Sequence, residues 1–457
     1  NFFGGPTYYM EKRLGEEMKW GKAWKAVHDH FGNIGMTLTH PHDYMNIDKW
    51  LVNTSSSSPW TYAEWSKKTN RVLEPAFLDA MKKNGYADAY EASSGACFLW
   101  YKEWSTVNRP YMAYTRNYTA DLGYGKYKNP ILNADFPDPD VIRVDDTFYM
   151  VSTTFHNFPG ATILKSKDLV NWEYCANPLK QIASSDNYNL LNGLNHYAQG
   201  MWASSLNYHN GQFYLYFITW GKDGDPGRNI MLTTTNPEGE WKMQMWPDHY
   251  YDSGWLFDDG PNGDGNVYVA CGIGQIAVNK LDGQTLRKIS DKVVIKDYTI
   301  NGQKCDGIEG SHMYHIGDYY YIYATTGGYF RGQQIFRSKD PMGPYEECPY
   351  MAFENQGIHQ GALVDTPTGE WWTILFKDAG SIGRVPYLEP VTWKDGWPVI
   401  GKNGIDVTKG GAAYTKPNVG QIVQRTSLPT NDTFTEPQIG MQWGWNHNPD
   451  NAAWSLM

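Results

Sequence analysis

The sequence predicts an all-β fold, a five-bladed β-propeller, from two features of its central region. From about Asn129 onward, short runs of β-branched and aromatic residues alternate with Gly, Asp and Asn turns, and helical patterns nearly vanish. A polar turn that leads into an aromatic-rich strand recurs there at intervals of roughly 50 to 65 residues, in the range of propeller blades with four strands each. The five copies are "DDTFYMVSTT" from Asp145, "NGQFYLYFIT" from Asn210, "DGNVYVACG" from Asp264, "GDYYYIYATT" from Gly317 and "TGEWWTILF" from Thr368. A β-sandwich, the alternative all-β architecture, would not repeat at this length.

The region before the repeats, residues 1–125, is predicted to be a mainly helical segment. From Glu11 to Phe31, apolar residues recur near a period of 3.6 with charged residues between them, and Tyr62 to Ala92 has a similar pattern. The role of this segment is open, since an accessory domain and the remnant of an upstream catalytic module both fit.

The region after the repeats, residues 426–457, is predicted to begin a further domain. Its pattern "NDTFTEPQIGMQWGWNHNPDNAAWSLM" stops at Met457 within a strand-like run, so we expect a truncated domain. The propeller domain then occupies residues 126–425.

Composition limits the classes of partner. The net charge of −10 argues against nucleic acids and anionic membranes, because both require a basic face on the protein. No apolar stretch approaches the roughly 18 residues that a membrane-spanning helix needs. The five cysteines are scattered and lack a CxxC pair, so they predict neither a zinc site nor a disulfide framework. A neutral substrate fits this balance, and composition gives no oligomeric state.

Three carboxylates stand where a propeller strand would not ordinarily place them. Asp138 lies between Pro137 and Pro139, which predict a rigid extended turn. Asp252 in "YYDSGWLFDD" precedes a strand, whereas the nearby Asp258 and Asp259 belong to the turn after it. Glu309 in "GIEGSHMY" is followed by Gly310, whose missing side chain is expected to let a ligand come close.

These carboxylates suit glycosidic bond cleavage. One carboxyl must donate a proton to the leaving oxygen, and another must be ionised to activate water or attack directly. A third carboxylate nearby keeps the pKa of the acid high. Aspartates also cluster in propeller turns for structural reasons, so spacing alone leaves a structural role open.

The chain resembles the family 43 glycoside hydrolases from about Asn129 to Gln424. The stretches that carry the resemblance are "NPILNADFPDPDVIRVDDTFYMVSTTFHNFPGATILKSKDLVNW", "GMWASSLNYHNGQFYLYF", "IEGSHMYHIGDYYYIY" and "GRVPYLEPVTWKDGWP". The resemblance implies a five-bladed propeller that inverts the anomeric centre with three acidic residues. By motif, Asp138 resembles the general base, Glu309 the general acid, and Asp252 the residue that tunes and orients the acid. It also implies that residues 426–457 are the first strands of a C-terminal β-sandwich.

Five further residues resemble the family's substrate-binding groups. Phe155 and Trp202 resemble the walls of the sugar subsite, with core packing as the alternative. Arg384 resembles an arginine that hydrogen-bonds sugar hydroxyls, with an ordinary ion pair as the alternative. His156 and His312 are expected near the pocket, and His312 serves equally well as a structural partner of an inner strand.

The sequence departs from the family at one position on the propeller axis. Many members place a histidine before a glycine there, beside a calcium ion or a water. In "GIHQGALVD", Gln360 occupies that position and His359 is displaced by one residue. We therefore predict no metal site and no required cofactor, although the family pattern leaves a structural calcium open.

The resemblance favours an exo-acting β-xylosidase that releases terminal pentose from xylan- or arabinan-derived oligosaccharides. An α-L-arabinofuranosidase, or an enzyme with both activities, is the alternative in the same class. A non-catalytic carbohydrate-binding propeller is the alternative in another class. From the substrate, a secreted or periplasmic location is expected, although no signal peptide opens the chain.

Overall fold

A computed structural model describes residues 118–456, apart from residues 183, 298, 301–302, 305–307, 327–331, 350–357, 380–381, 402–412 and 431. Nearly all of these residues belong to one compact unit formed by Tyr118–Asp378, Arg384–Leu428 and Pro437–Met457. The predicted helical segment lies outside the described residues except at its end. There strand β1 (Asp121–Gly123) pairs with β2 (Lys126–Tyr127), and the helical character of residues 1–117 stays a prediction.

Within the described residues the regular structure consists of β-strands, and the predicted all-β class is confirmed. Most strands belong to five four-stranded antiparallel sheets, which we number I to V along the chain. Sheet I contains β3 (Asp140–Val144), β4 (Thr147–Val151), β6 (Ile163–Ser166) and β7 (Trp172–Ala176), and sheet II contains β8 (Gly200–His209), β9 (Gln212–Trp220), β10 (Arg228–Thr234) and β11 (Lys242–Met245). Sheet III contains β12 (Gly254–Phe257), β13 (Val267–Cys271), β14 (Gln275–Leu281) and β15 (Val293–Asp297). Sheet IV contains β18 (Ile308–Ile316), β19 (Tyr319–Thr326), β20 (Gln333–Ser338) and β21 (Glu346–Glu347), and sheet V contains β22 (Ile358–Asp365), β23 (Trp371–Asp378), β24 (Arg384–Lys394) and β25 (Trp397–Ile400).

The remaining described strands form three small sheets. Strand β26 (Tyr414–Thr415) joins β1 and β2, and β16 (Thr299–Ile300) pairs with β17 (Gln303–Lys304). Strand β27 (Trp445–Asn446) pairs with β5 (Asn157–Phe158), which follows the second strand of sheet I. Among the residues described after 425, β27 is the one strand, and it pairs with β5. The predicted C-terminal β-sandwich stays a prediction.

The repeated sequence pattern corresponds to one position in every sheet. The five aromatic-rich runs form β4, β9, β13, β19 and β23, each the second strand of its sheet. These strands are buried along most of their length; in β13, for example, Val267, Tyr268, Val269 and Ala270 are all buried. Because both faces of such a strand are covered, its sequence reads as a continuous apolar run rather than as an alternating one.

The apolar core lies between successive sheets. One cluster joins sheets I and II through residues such as Ile163 and Phe217, and equivalent clusters join II to III, III to IV and IV to V. A fifth cluster joins sheet V to sheet I, where Ile374 and Leu388 pack with Val141 and Phe148. The first strands of the sheets also contact one another in the order β3, β8, β12, β18, β22 and back to β3. Residues next to these first strands are therefore brought together from distant parts of the chain.

Within the same described residues, no helix is long and apolar enough to cross a bilayer.

Candidate active site

Asp138 lies just before β3 and is nearly buried. Thr153 donates a hydrogen bond from Oγ1 to Asp138 Oδ2 at 2.7 Å, and Arg384 donates from Nη1 to Asp138 Oδ1 at 2.6 Å. The extended turn predicted for Asp138 is wrong, because its φ is 51°, in the left-handed region. Aspartate tolerates this region better than most residues, and the two hydrogen bonds hold the side chain in it.

Asp252 lies just before β12 and is also nearly buried. Its Oδ2 accepts a hydrogen bond from the backbone N–H of Gly310 at 2.9 Å, and its Oδ1 accepts one from Gln360 Nε2 at 2.9 Å. Its φ is 47°, again in the left-handed region. Asp252 is thus fixed by one residue of sheet IV and one of sheet V.

Asp258, which lies close to Asp252 in sequence, has a different place. It follows β12 as expected, and its carboxylate bonds His315 Nδ1 at 2.6 Å and the Tyr320 hydroxyl at 2.7 Å. These contacts join sheets III and IV, so they give Asp258 a structural role.

Glu309 lies on β18 and is half-buried. The hydroxyl of Tyr251 donates a hydrogen bond to Glu309 Oε2 at 3.0 Å. Tyr251 immediately precedes Asp252, so one short segment before sheet III contacts the acid residue of sheet IV.

The three predicted carboxylates lie close enough to interact electrostatically. Burial raises the pKa of Asp252 well above its usual value, and the charges of Glu309 and Asp138 raise it further. The hydrogen bond from Gly310 and the charge of Arg384 oppose this effect. A group of three carboxylates in one low-dielectric site resists joint ionisation, so it retains a proton at a pH where an isolated carboxyl has lost it.

Gly310 has a steric role that differs from the one predicted. Its φ is +66°, and a Cβ added there would lie 2.8 Å from the side-chain carbons of Gln360. The close neighbour of Gly310 is therefore Gln360 rather than a ligand. The glycine allows the Gln360 amide and its own N–H to reach Asp252 together.

Phe155 and Trp202 form an aromatic pair beside these residues. Their ring centroids are 5.9 Å apart in an edge-to-face arrangement, and the Trp202 indole donates a hydrogen bond to the Ala198 carbonyl at 3.0 Å. Phe155 bonds Met201 through its backbone, which attaches it to the start of β8. Trp202 is half-buried, so part of its surface can face a ligand.

The two predicted histidines occupy structural positions. His156 is completely buried, accepts a hydrogen bond from the Ala198 N–H at 3.2 Å and packs against His447 at 5.0 Å between ring centroids. The His156 side chain thus has no exposed surface in this structure, and its predicted substrate contact stays a prediction. His312 places Nδ1 3.2 Å from Asp140 Oδ1, so it joins β18 to β3.

Arg384 begins β24 and meets several acidic groups. Besides Asp138, its Nε lies 3.4 Å from Asp378 Oδ1, and its guanidinium stacks over the Phe376 ring at 4.5 Å. Its backbone N–H donates to Asp135 Oδ1 at 2.6 Å. Burial raises the pKa of Asp135 to about 8, and the charges of Asp138 and Asp378 add to this effect. Arg384 thus forms ion pairs with protein groups, as the alternative reading of this residue expected. About a quarter of its side chain remains exposed.

Gln360 occupies the position where the family pattern has a histidine beside a calcium ion or a water. No three His, Cys, Asp or Glu side chains among the described residues converge as metal ligands. At the position where a histidine was expected, Gln360 directs its amide N–H at Asp252, and an N–H cannot coordinate a cation.

Comparison with known proteins identifies the family. The model of glycosyl hydrolases family 43 matches residues 127–398. The chain belongs to glycosyl hydrolases family 43. The family predicted from the sequence motifs is confirmed.

Relatives of this family 43 chain include enzymes named for two different activities. A β-xylosidase of Formosa agariphila is 34% identical over 373 residues, which cover 74% of this chain and 61% of the relative. A non-reducing end α-L-arabinofuranosidase of Bacteroides ovatus, BoGH43B, is 33% identical over 366 residues, which cover 74% of this chain and 64% of the relative. A solved bifunctional GH43-CE structure from Bacteroides eggerthii is 35% identical with a TM-score of 0.61, and covers 75% of this chain and 42% of that one. The matched region spans less than two thirds of the length of each of these proteins.

Sequence reasoning missed several groups in the family 43 site. Three of them touch a predicted residue: Thr153 bonds Asp138, Tyr251 bonds Glu309, and Asp135 bonds the Arg384 N–H. Each contact forms only when the chain has folded. Tyr251 and Asp135 lie within quoted motifs, beside Asp252 and close to Asp138, and only this proximity could have drawn attention to them. No sequence signal indicates which side chain a hydroxyl of a neighbouring sheet will reach.

Proposed function

We propose that this family 43 protein hydrolyses the terminal pentose from xylo-oligosaccharides or arabinoxylan side chains with inversion, acting as an exo-β-xylosidase. The observation that carries the proposal is the electrostatic coupling of Asp138, Asp252 and Glu309, three carboxylates from different sheets. Inverting hydrolysis needs one carboxyl group that holds a proton and another that activates water. A coupled group of this kind supplies both forms at one pH.

The five sheets support a five-bladed propeller as the frame of this site. Consecutive first strands contact each other, and β22 of sheet V contacts β3 of sheet I. We infer that each sheet is one blade and that the first strands surround the axis. The substrate would then bind at the end of the axis where Asp138, Asp252 and Glu309 lie.

Asp138 is assigned as the general base. Thr153 and Arg384 bind its two carboxylate oxygens, so its orientation is fixed. The guanidinium compensates the negative charge that a base must carry while it takes a proton from water. The attacking water adds to the anomeric carbon, and its proton passes to Asp138 as the bond to the leaving oxygen breaks.

Glu309 is assigned as the general acid, with Asp252 as its positioning partner. The donors on Asp252, Gly310 N–H and Gln360 Nε2, favour negative charge on Asp252. Burial and the charges of Glu309 and Asp138 raise the pKa of Asp252, so a proton is retained among these carboxyls. Glu309 is half-buried and more exposed than Asp252, so it is the carboxyl that can deliver this proton to the leaving oxygen.

Phe155 and Trp202 supply apolar faces for the pentose ring, and the exposed part of Arg384 can bind its hydroxyls. An α-L-arabinofuranosidase or a dual enzyme is the second candidate, favoured by the relatives with that name. A non-catalytic binding propeller fits less well, since it would have no need for three coupled carboxylates. The expected carbohydrate substrate and secreted or periplasmic location follow from this proposal.

The first test is the hydrolysis of p-nitrophenyl β-D-xylopyranoside and p-nitrophenyl α-L-arabinofuranoside by the wild-type protein and by Asp138→Asn. We expect release of p-nitrophenol from at least one substrate and a loss of about 10³-fold in kcat for the variant, because even a good leaving group still needs activated water. Asp146→Asn is the matched control, since Asp146 is an exposed aspartate that pairs with Lys167. Wild-type turnover by Asp138→Asn would refute the assigned base, and no cleavage by the wild-type protein would favour the binding propeller.

A further inference from the structure

An aromatic row extends from the proposed pentose subsite to the general acid. Trp202 contacts Trp220 at 5.6 Å between ring centroids, and Trp220 contacts Tyr251 at 5.7 Å. At one end of the row Phe155 packs on Trp202, and at the other the Tyr251 hydroxyl bonds Glu309. The row therefore leads from the sugar-subsite wall to the acid residue.

Trp220 is the most exposed ring of this row. It is the last residue of β9 and 36% of its surface is exposed, whereas Phe155 is only 9% exposed. The ring of His249 lies 6.5 Å from it, and Asn229 Oδ1 fixes that ring through Nδ1 at 2.9 Å. An exposed indole beside a fixed polar ring can offer a sugar both an apolar face and a hydrogen-bonding group.

The position of Trp220 relative to Glu309 indicates which part of a substrate it would meet. The general acid must stand next to the leaving oxygen, and the base must stand on the opposite face of the sugar. Tyr251 contacts both Trp220 and Glu309, so Trp220 lies on the acid side of the site. Asp138, in contrast, is held by Thr153 and Arg384.

We infer that Trp220, with His249 at its edge, forms the platform for the sugar that leaves, the residue on the reducing-end side of the cleaved bond. This inference rests on the proposed function and adds a specificity-determining residue to it. Stacking on Trp220 requires a ring in the leaving group. The platform therefore favours oligosaccharide substrates over glycosides whose leaving group has no ring.

The test compares xylobiose, whose leaving group is a sugar, with β-D-xylopyranosyl fluoride, whose leaving group is a single atom. For Trp220→Ala we expect kcat/KM to fall about tenfold with xylobiose, the loss expected for one aromatic stacking contact. With the fluoride, kcat/KM should stay within about twofold of the wild-type value, since no leaving ring is present to stack. Trp220→Phe keeps an aromatic face and should recover most of the xylobiose activity.

Tyr208→Ala is the matched control, because Tyr208 is 42% exposed and lies near the end of β8, whereas Trp202 lies near its start. It should leave both rates unchanged. Equal losses on the two substrates for Trp220→Ala, or no loss on xylobiose, would overturn the platform while leaving the proposed hydrolase intact. A wild-type protein that cleaves neither substrate would instead overturn the proposed xylosidase, and the inference with it.

Discussion

At the residue scale, several groups of the site adopt a backbone conformation that is unusual for a side chain. Asp138, Phe155, Asp252 and Gln360 have φ values of 51°, 50°, 47° and 43°. Such conformations cost on the order of 1–3 kcal/mol each and persist only where the surroundings hold them. Here fixed partners do so, since Asp138 and Asp252 each accept two hydrogen bonds. The strain thus goes with precise placement of the carboxylates.

Replacing Tyr251 by Phe tests the environment of Glu309. The Tyr251 hydroxyl donates to Glu309 Oε2, and this bond stabilises the ionised carboxylate. Without it one oxygen of the Glu309 carboxyl loses its fixed partner, so kcat/KM should fall about tenfold because the proposed acid is less well placed. Tyr250→Phe is the control, since the neighbouring Tyr250 is buried against Trp255 rather than bonded to Glu309. An unchanged kcat/KM in Tyr251→Phe would contradict the role of Tyr251 in positioning Glu309.

At the element scale, β-bulges place three groups of the site. The pairing register shifts between Met201 and Ser204 in β8, between Glu309 and His312 in β18, and between His359 and Gly361 in β22. Trp202, Glu309 and Gln360 lie within or at the edge of these irregular stretches. A bulge bends its strand and redirects a side chain. These first strands therefore pair regularly outside the site, and their side chains change direction at the site.

Replacing Gly310 by Ala tests the bulge in β18. The added Cβ would approach Gln360 to 2.8 Å and disturb both donors to Asp252, so we expect kcat to fall at least about tenfold. Gly317→Ala is a close control, because Gly317 follows the same strand with φ +62° and has nothing within 4 Å of an added Cβ. Both variants should lose stability through backbone strain, by about 1–2 kcal/mol. Equal activity in the two variants would argue against a role of the Gly310–Gln360 contact.

At the scale of the whole described unit, contacts between distant segments hold the site together. Before sheet I, Asn129 exchanges two hydrogen bonds with the backbone of Leu388 in β24, at 2.9 Å each, which links the segment before sheet I to sheet V. After sheet V, His447 accepts a hydrogen bond from the His196 N–H at 2.8 Å and packs against His156, which precedes β5 and follows Phe155 in the chain. The segment that carries Phe155 is therefore held by residues near the end of the described chain.

The buried histidines make stability sensitive to acid. Burial lowers the pKa of His156 to about 3 and that of His447 to about 4, from about 6.5 in an unfolded chain. Between these values the unfolded chain binds protons that the folded protein does not, so the free energy of unfolding falls as pH decreases from about 6.5 to about 3. In thermal unfolding across this range, His447→Gln should lose less of its Tm on acidification than the wild-type protein. A parallel decline of the two proteins would show that His447 does not contribute.

The sequence by itself determined the all-β class and the family, and it pointed to the three carboxylates that the structure brings close together. An aromatic-rich strand recurs once in every sheet. Because both faces of this strand are buried, nearly all of its residues are apolar, and this run is visible in the sequence alone. The roles of neighbouring side chains depended on tertiary structure. Pro137 and Pro139 indicated an extended Asp138, but contacts with Thr153 and Arg384 hold it in the left-handed region. Likewise His156 was expected near the pocket, and its side chain is buried against His447, a residue almost 300 positions away. Local preference fixes a strand, whereas the partner of a side chain is decided only when separate sheets meet.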